Sequence, residues 1–338
     1  MKKIRLGFIG AGFISQIAHL PCFYNDSRIK IEAISDLNKN LLIKVSKKYQ
    51  VEKIYTNHIE MIKKEKLDAI ILAVQRSNTE KIAKDIMQKK ISLFSEKPAA
   101  LSFKVAKKLS KLSERMGVKY IIGYMKQHDN GIIFLKKNLN KIKLGKLKSI
   151  YYESFLGDSY SNPFEYFKHD DKNYRRKNTL NKKIVNKKLI FIKFLNTHCH
   201  SINLMRYLFG ELNFDYKSLS NQGEGLVFFK TKNKIKVVLN NQYSKAKRWI
   251  ENILINYEDG KIIIKMPTPL LKNSSAEILI ENYKTGKITK PWINWGWSFR
   301  NQANFFVNLL KSKKKIDYFC SAKNCLKDLY LIEQIFKK

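Results

Sequence analysis

Glycines at the end of an apolar run carry the first recognisable chemistry of this chain. Ile4, Leu6, Phe8 and Ile9 lead into Gly10-Ala11-Gly12 and then directly into a helical pattern. Gly10 permits a sharp turn, and Gly12 lets the backbone approach a pyrophosphate at the positive N-terminus of the next helix. Ser15 takes the third small position of G-x-G-x-x-G and leaves room for close helix–strand packing. The next apolar segment, Arg28 to Ser35, ends on Asp36. An acidic side chain there bonds the ribose hydroxyls of NAD and repels a 2′-phosphate. Leu37 follows it, with no arginine to accept such a phosphate. The stretch reads as a dinucleotide site, with NAD expected over NADP.

Glu96-Lys97-Pro98 is another candidate, placed after the apolar segment Ile91 to Ser95. Open α/β sheets gather their ligands at the C-terminal ends of the strands. A lysine there, beside a nicotinamide, can hold a substrate hydroxyl and help move its proton. The Lys97–Pro98 peptide bond is open to either isomer at this stage. Farther on, His198, Cys199 and His200 invite a metal reading. Adjacent positions on a helix point to different faces, however, and no other ligand cluster lies nearby, so no metal site is expected.

The elements that must position these residues fall into two patterns. Up to Gly123, strands and helices alternate. Leu41 to Tyr49, Ile59 to Lys64, Asn78 to Gln88 and Ser102 to Met116 read as helices. Asp68 to Val74 is an unbroken apolar run suited to a strand buried on both faces. Such alternation predicts a doubly wound parallel sheet. Beyond it come a helical stretch from His128 to Lys143, a strand from Leu147 to Phe155 and a polar, basic flap from Lys168 to Lys188. A helix from Leu189 to Leu208 precedes strand-like segments from Phe214 to Asn282, joined by Gly- and Asn-containing turns. Helices from Ser298 and Ala322 finish the chain. The expected fold class is α/β: a Rossmann domain over 1–122, then an α+β domain over 123–338 with an open, mostly antiparallel sheet. The last helix is expected to pack back on the first domain.

Composition sets further bounds. The chain has 338 residues and a formal net charge of +38. Such a surplus suggests nucleic acid, membrane surface or acidic substrates. It is mostly lysine, spread along the chain and accompanied by abundant Asn and Ile, as AT-rich codons produce. No specific nucleic acid and no membrane partner is therefore expected, although the field would steer an anionic sugar derivative. No membrane span or signal peptide is evident. Cys22, Cys199, Cys320 and Cys325 form neither C-x-x-C nor a disulfide framework, and the cytoplasm is the expected compartment. Trp292, Trp295 and Trp297 read as core or subunit contact, and Arg175 and Arg176 as a solvated part of the flap.

Taken together, GFIGAGFIS, Asp36, Glu96-Lys97-Pro98, GYMKQHD from Gly123 and NTHCHSINLMRYLFG from Asn196 resemble the Gfo/Idh/MocA oxidoreductases. This is the glucose–fructose oxidoreductase and inositol dehydrogenase superfamily. The resemblance implies a cofactor site built from Gly10, Gly12, Phe13, Ile14, Asp36, Val74, Gln75, Glu96 and Lys97. It also implies Lys97, His200 and Asn196 as the catalytic set. Asn196 and His200 are four apart on a helix and share one face; His200 would exchange the hydroxyl proton, and Asn196, which cannot relay one, would orient the substrate. Departures from the family pattern stand at Asn196, His198, Asn203 and Gln75-Arg76. The implied activity is hydride transfer between NAD and a carbinol of a sugar or sugar derivative, in a homo-oligomer (dimer or tetramer). Redox-assisted epimerisation, elimination or glycosidic cleavage with retained NAD, or a non-catalytic basic scaffold, are the alternatives.

Overall fold

The computed structural model describes residues 2–157, 166–168, 186–246, 248–312 and 318–337. Their packing separates into two compact units. The first takes its residues from Met1–Gly123, Pro163–Leu189 and Gln302–Leu329, and the second from Tyr124–Asn162, Ile190–Asn301 and Tyr330–Lys338.

The first unit is built on six parallel strands in the order β3-β2-β1-β4-β5-β6. They are β1 (Ile4–Ile9), β2 (Ile29–Ser35), β3 (Lys53–Tyr55), β4 (Ala69–Leu72), β5 (Ser92–Ser95) and β6 (Tyr120–Ile122). Leu6, Phe8, Ile70 and Ile71 on the central strands are fully buried, because helices cover both faces of a parallel sheet. Those helices are α1 (Leu20–Tyr24), α2 (Lys39–Tyr49), α3 (His58–Lys64), α4 (Arg76–Gln88) and α5 (Phe103–Met116). Local chemistry sets their ends. The side chains of Asn38 and Ser102 accept from Leu41 N at 2.9 Å and Val105 N at 3.3 Å, and Gly117 closes α5 in the left-handed conformation. Strand order reverses between β1 and β4, which makes the ends of those strands the switch point where ligands bind.

A C-terminal segment completes this unit, which the single boundary expected at residue 122 leaves out. It takes most of α8 (Ser298–Lys311) and the first half of α9 (Ala322–Lys337), numbered after α6 and α7 below. Ile122 N donates to Cys320 O at 2.8 Å, and Ile121 forms a β-bridge with Ser321. Lys119 Nζ donates to the Ser312 carbonyl at 2.6 Å and to that of Leu309. Phe306 stands edge-on to Phe94 and Phe23 at 5.6 and 6.5 Å. The third aromatic of this cluster thus comes from almost three hundred residues along the chain, beyond the reach of local pattern.

The second unit holds a 3₁₀ turn (Met125–His128), α6 (Asn130–Asn138), α7 (Asn186–Phe209) and an eight-stranded sheet. Its strands are β7 (Leu147–Leu156), β8 (Leu212–Leu219), β9 (Gly225–Thr231), β10 (Lys236–Tyr243), β11 (Trp249–Tyr257), β12 (Gly260–Met266), β13 (Glu277–Asn282) and β14 (Ile288–Thr289). Alternate residues such as Ile150, Tyr152, Val237, Leu239, Ile253 and Ile255 are fully buried, as a sheet with one covered face requires. The sheet is mixed, not purely antiparallel: β7 runs parallel to β10 and antiparallel to β11. The long connection that a parallel pair demands is supplied by α7, β8 and β9. The helix expected from His128 to Lys143 is broken: the 3₁₀ turn precedes it, Asp129 caps α6, and a further 3₁₀ turn covers Leu139–Lys141. Trp297 is core, with its indole N–H on Pro269 O at 3.2 Å. Trp292 and Trp295 are 90% and 81% exposed, so a core role does not hold for them. No helix among the described residues is long and apolar enough to cross a membrane.

Candidate functional site

The glycine turn is held by contacts that explain its residue types. Gly10 has φ of +95°, and a Cβ on it would fall 2.1 Å from the Ala73 carbonyl oxygen at the end of β4. Both the dihedral and the neighbouring strand therefore exclude a side chain. Ser15 Oγ donates to Gly10 O at 2.5 Å, so the third small position is occupied by a hydroxyl that fastens the turn. Ala11 N and Asn38 N donate to the two oxygens of Asp36 at 2.8 and 3.0 Å. The carboxylate that closes β2 is thereby locked against the turn. Gly12 lines the cavity described next, and a Cβ on it would meet no protein atom within 4 Å. The following helix opens with a π-helical turn, Ser15–His19, before α1, a rare geometry that recurs at functional sites.

Gly10, Gly12, Asp36, Val74 and Gln75 line one cavity of about 350 Å³. Sequence reasoning missed five polar members of its wall, Ser35, Thr56, His58, Asn78 and Lys81. Their signal was available in part: Thr56 and His58 follow β3, and Asn78 lies in the first turn of α4, the ends that face a switch point. His58 Nε2 is fixed by Asp85 Oδ2 at 3.0 Å. Phe13 and Ile14 sit in the turn without lining this cavity; the Phe13 ring meets Tyr166 edge-on at 4.8 Å.

Glu96 and Lys97 follow β5, also away from the cavity wall. Lys97 is half-buried, and its bond to Pro98 is cis. Glu96 Oε1 lies 2.7 Å from His19 Nε2, and Oε2 accepts from Lys97 N at 3.2 Å. Burial works against the charge on Glu96, but the His19 hydrogen bond and the charges of His19 and Lys97 outweigh it and hold the carboxyl below its ordinary range.

Asn196 and His200 belong to the second unit, four apart on α7 and on one face of it. His200 is 8% exposed and stands edge-on to the Tyr124 ring at 5.7 Å. Asn203 accepts from Gln127 Nε2 at 3.2 Å, which ties α7 to the 3₁₀ turn. His198 is fully buried, 4.8 and 5.5 Å from the rings of Phe194 and Tyr243. Burial first, then the charges of Lys126 and Lys193, push its pKa down to about 3, so it is a neutral ring in an aromatic nest. Among the described residues no three His, Cys, Asp or Glu side chains are grouped to hold a metal ion. Arg175 and Arg176 of the predicted flap lie outside the described residues.

Residues 4–124 match the family model of the GFO_IDH_MocA oxidoreductases, described as having an NAD-binding Rossmann fold. The match lies within the Rossmann domain and covers 121 of the 338 residues. Over 147 residues it is 27% identical to the inositol 2-dehydrogenase/D-chiro-inositol 3-dehydrogenase of Shouchella clausii (strain KSM-K16). That match spans 42% of this chain and 42% of the relative, less than half of its length. Among solved structures, the 3-ketoreductase KijD10 from Actinomadura kijaniata, in complex with NADP and TDP-benzene, superposes with a TM-score of 0.78 at 11% identity. The superposition covers 99% of this chain and 98% of that one. An oxidoreductase from Agrobacterium radiobacter, in complex with NAD+, L-tartaric acid and magnesium, gives 0.75 at 15% identity, covering 99% and 96%. At such identities the likeness is one of fold.

Proposed function

We infer that the protein is an NAD-dependent oxidoreductase acting on a carbinol of a sugar or sugar-like polyol. The observation that carries this reading is the cavity in which the glycine turn and the fastened Asp36 carboxylate converge. Gly12 offers backbone and empty space to a pyrophosphate, and Asp36 offers oxygens to ribose hydroxyls. The residues present therefore fit a nicotinamide dinucleotide, which when bound supplies the hydride acceptor or donor. The chain's own part is binding and proton handling. Lys97 Nζ would hold the substrate hydroxyl, and the His200 imidazole would take its proton as the carbinol is oxidised. Asn196 would orient the substrate through its amide. The inositol in the name of one relative supports polyhydroxylated ligands as the class to examine. Buried free cysteines support a reducing compartment, and we place the protein in the cytoplasm.

The test is a panel of inositols, free sugars and nucleotide-linked sugars supplied with NAD, followed at the absorbance of reduced nicotinamide. A substrate-dependent rise that Lys97→Ala and His200→Ala each reduce by about a hundredfold or more is expected. Turnover surviving both substitutions would overturn the assignment of roles. Consumption of a substrate with no net reduction of NAD would favour a redox-neutral reaction on retained cofactor instead.

A further inference from the structure

Buried His19 and half-buried Glu96 form a pair outside the cavity, and His19 has no part in the roles assigned above. Its His comes from the π-helical turn that follows the glycine turn, and its Glu directly precedes Lys97. We propose that His19 and Glu96 are positioning residues for Lys97: the imidazole holds the carboxylate, and the carboxylate holds the main chain of the lysine. The inference rests on the reading of Lys97 as a cofactor-side residue.

Every side of Glu96 is constrained. Oε1 takes the His19 Nε2 contact at 2.7 Å, and Oε2 takes the Lys97 amide at 3.2 Å. Its own amide donates to Leu72 O at 2.9 Å, continuing the ladder from β4. Gly123 stands so close that a Cβ on it would lie 3.3 Å from Oε1. An ionised carboxylate only accepts, so the contact is a hydrogen bond from Nε2 to Oε1. The imidazole is 3% exposed and edge-on to Phe94 at 5.2 Å. Packing does not account for this arrangement. A desolvated carboxylate with a polar partner is usually no more stabilising than apolar residues of the same volume, because its desolvation must be offset. What it supplies and an apolar pair cannot is a directed link. Here that link runs from the helix of the glycine turn to the lysine at the end of β5.

The probe is NADH with the full-length protein. Lys97 is acetylated at trace level with acetic anhydride, and its rate is read by peptide mass spectrometry against the exposed Lys108 in the same sample. With NADH at about ten times its Kd, acetylation of Lys97 in the unmodified protein is expected to slow about tenfold. His19→Phe keeps a ring beside Phe94 and removes the link; His19→Gln keeps a donor and removes the ring. Positioning predicts that His19→Phe loses most of the protection while still binding NADH, and that His19→Gln retains it. Protection kept by Phe and lost by Gln, or kept by both, would overturn the proposal. If His19→Phe does not fold, the double variant His19→Phe/Glu96→Leu removes both polar partners and poses the same question, with loss of protection expected again. Absence of protection in the unmodified protein, or of NADH binding, would be the failure of the underlying reading and would remove the pair's role with it.

Discussion

Gly10 is where a single atom decides the local fold. Its φ of +95° and the Ala73 carbonyl 2.1 Å from any Cβ leave Ala no accommodation. Gly10→Ala is expected to cost about 2–3 kcal/mol or more, read as a lowered denaturant midpoint. His198 gives a different prediction. Its pKa is pushed from 6.5 to about 3, so the unfolded chain binds a proton that the folded chain refuses. Stability from this residue is complete above pH 6.5 and is lost progressively as pH falls from there toward 3. His128, pushed down to about 4 by burial, acts in the same direction. For His198 the loss amounts to a few kcal/mol on the order-of-magnitude scale. Urea unfolding at a series of pH values should show this acid slope, and His198→Phe should flatten it; an unchanged slope would show that the residue is not held neutral. The role of Gly10 was legible in the sequence because a turn residue declares itself locally. The state of His198 was not, since it depends on Tyr243 of β10 and Lys126 of the 3₁₀ turn meeting Phe194 and Lys193 of its own helix.

At the scale of elements, the 3₁₀ turn after β6 is joined to the second sheet by one buried charge cluster. Lys126 pairs with Glu251 on β11, and Glu251 also accepts from Tyr152 OH on β7 at 2.8 Å and from Trp249 Nε1 at 2.7 Å. Lys126 and Glu251 are 5% and 1% exposed. Lys126→Met would strand a buried carboxylate and is expected to cost about 3–5 kcal/mol, whereas adding Glu251→Leu should recover much of that loss. A double-mutant cycle in urea checks both parts. The alternation of strands and helices through Gly123 was legible from period and caps, and most strands of the second sheet were as well. The π-helical turn at Ser15–His19 was not, because nothing in its residue types distinguishes it from an ordinary helix start. Nor was the parallel neighbour of β7, which is fixed by pairing with residues almost ninety positions away.

For the whole molecule, the charge of +38 and the cofactor cavity make separable claims. If the lysines are solvated surface, binding to random duplex DNA should be indifferent to sequence and fall steeply with salt. Retention of one sequence at physiological salt would contradict that. The segment 302–329 shows what whole-chain organisation adds: Phe306 and Cys320 join a domain that their local patterns do not reveal. The central claim is that Asp36 and the glycine turn hold NAD. It is tested most directly by stripping the purified protein of any retained nucleotide and titrating it with NADH and NADPH by fluorescence. The account predicts saturable binding with NADH favoured by about tenfold or more, a preference worth about 1.4 kcal/mol that Asp36→Ala should erase. Equal or tighter binding of NADPH would contradict the role given to Asp36, and binding of neither would contradict the account as a whole.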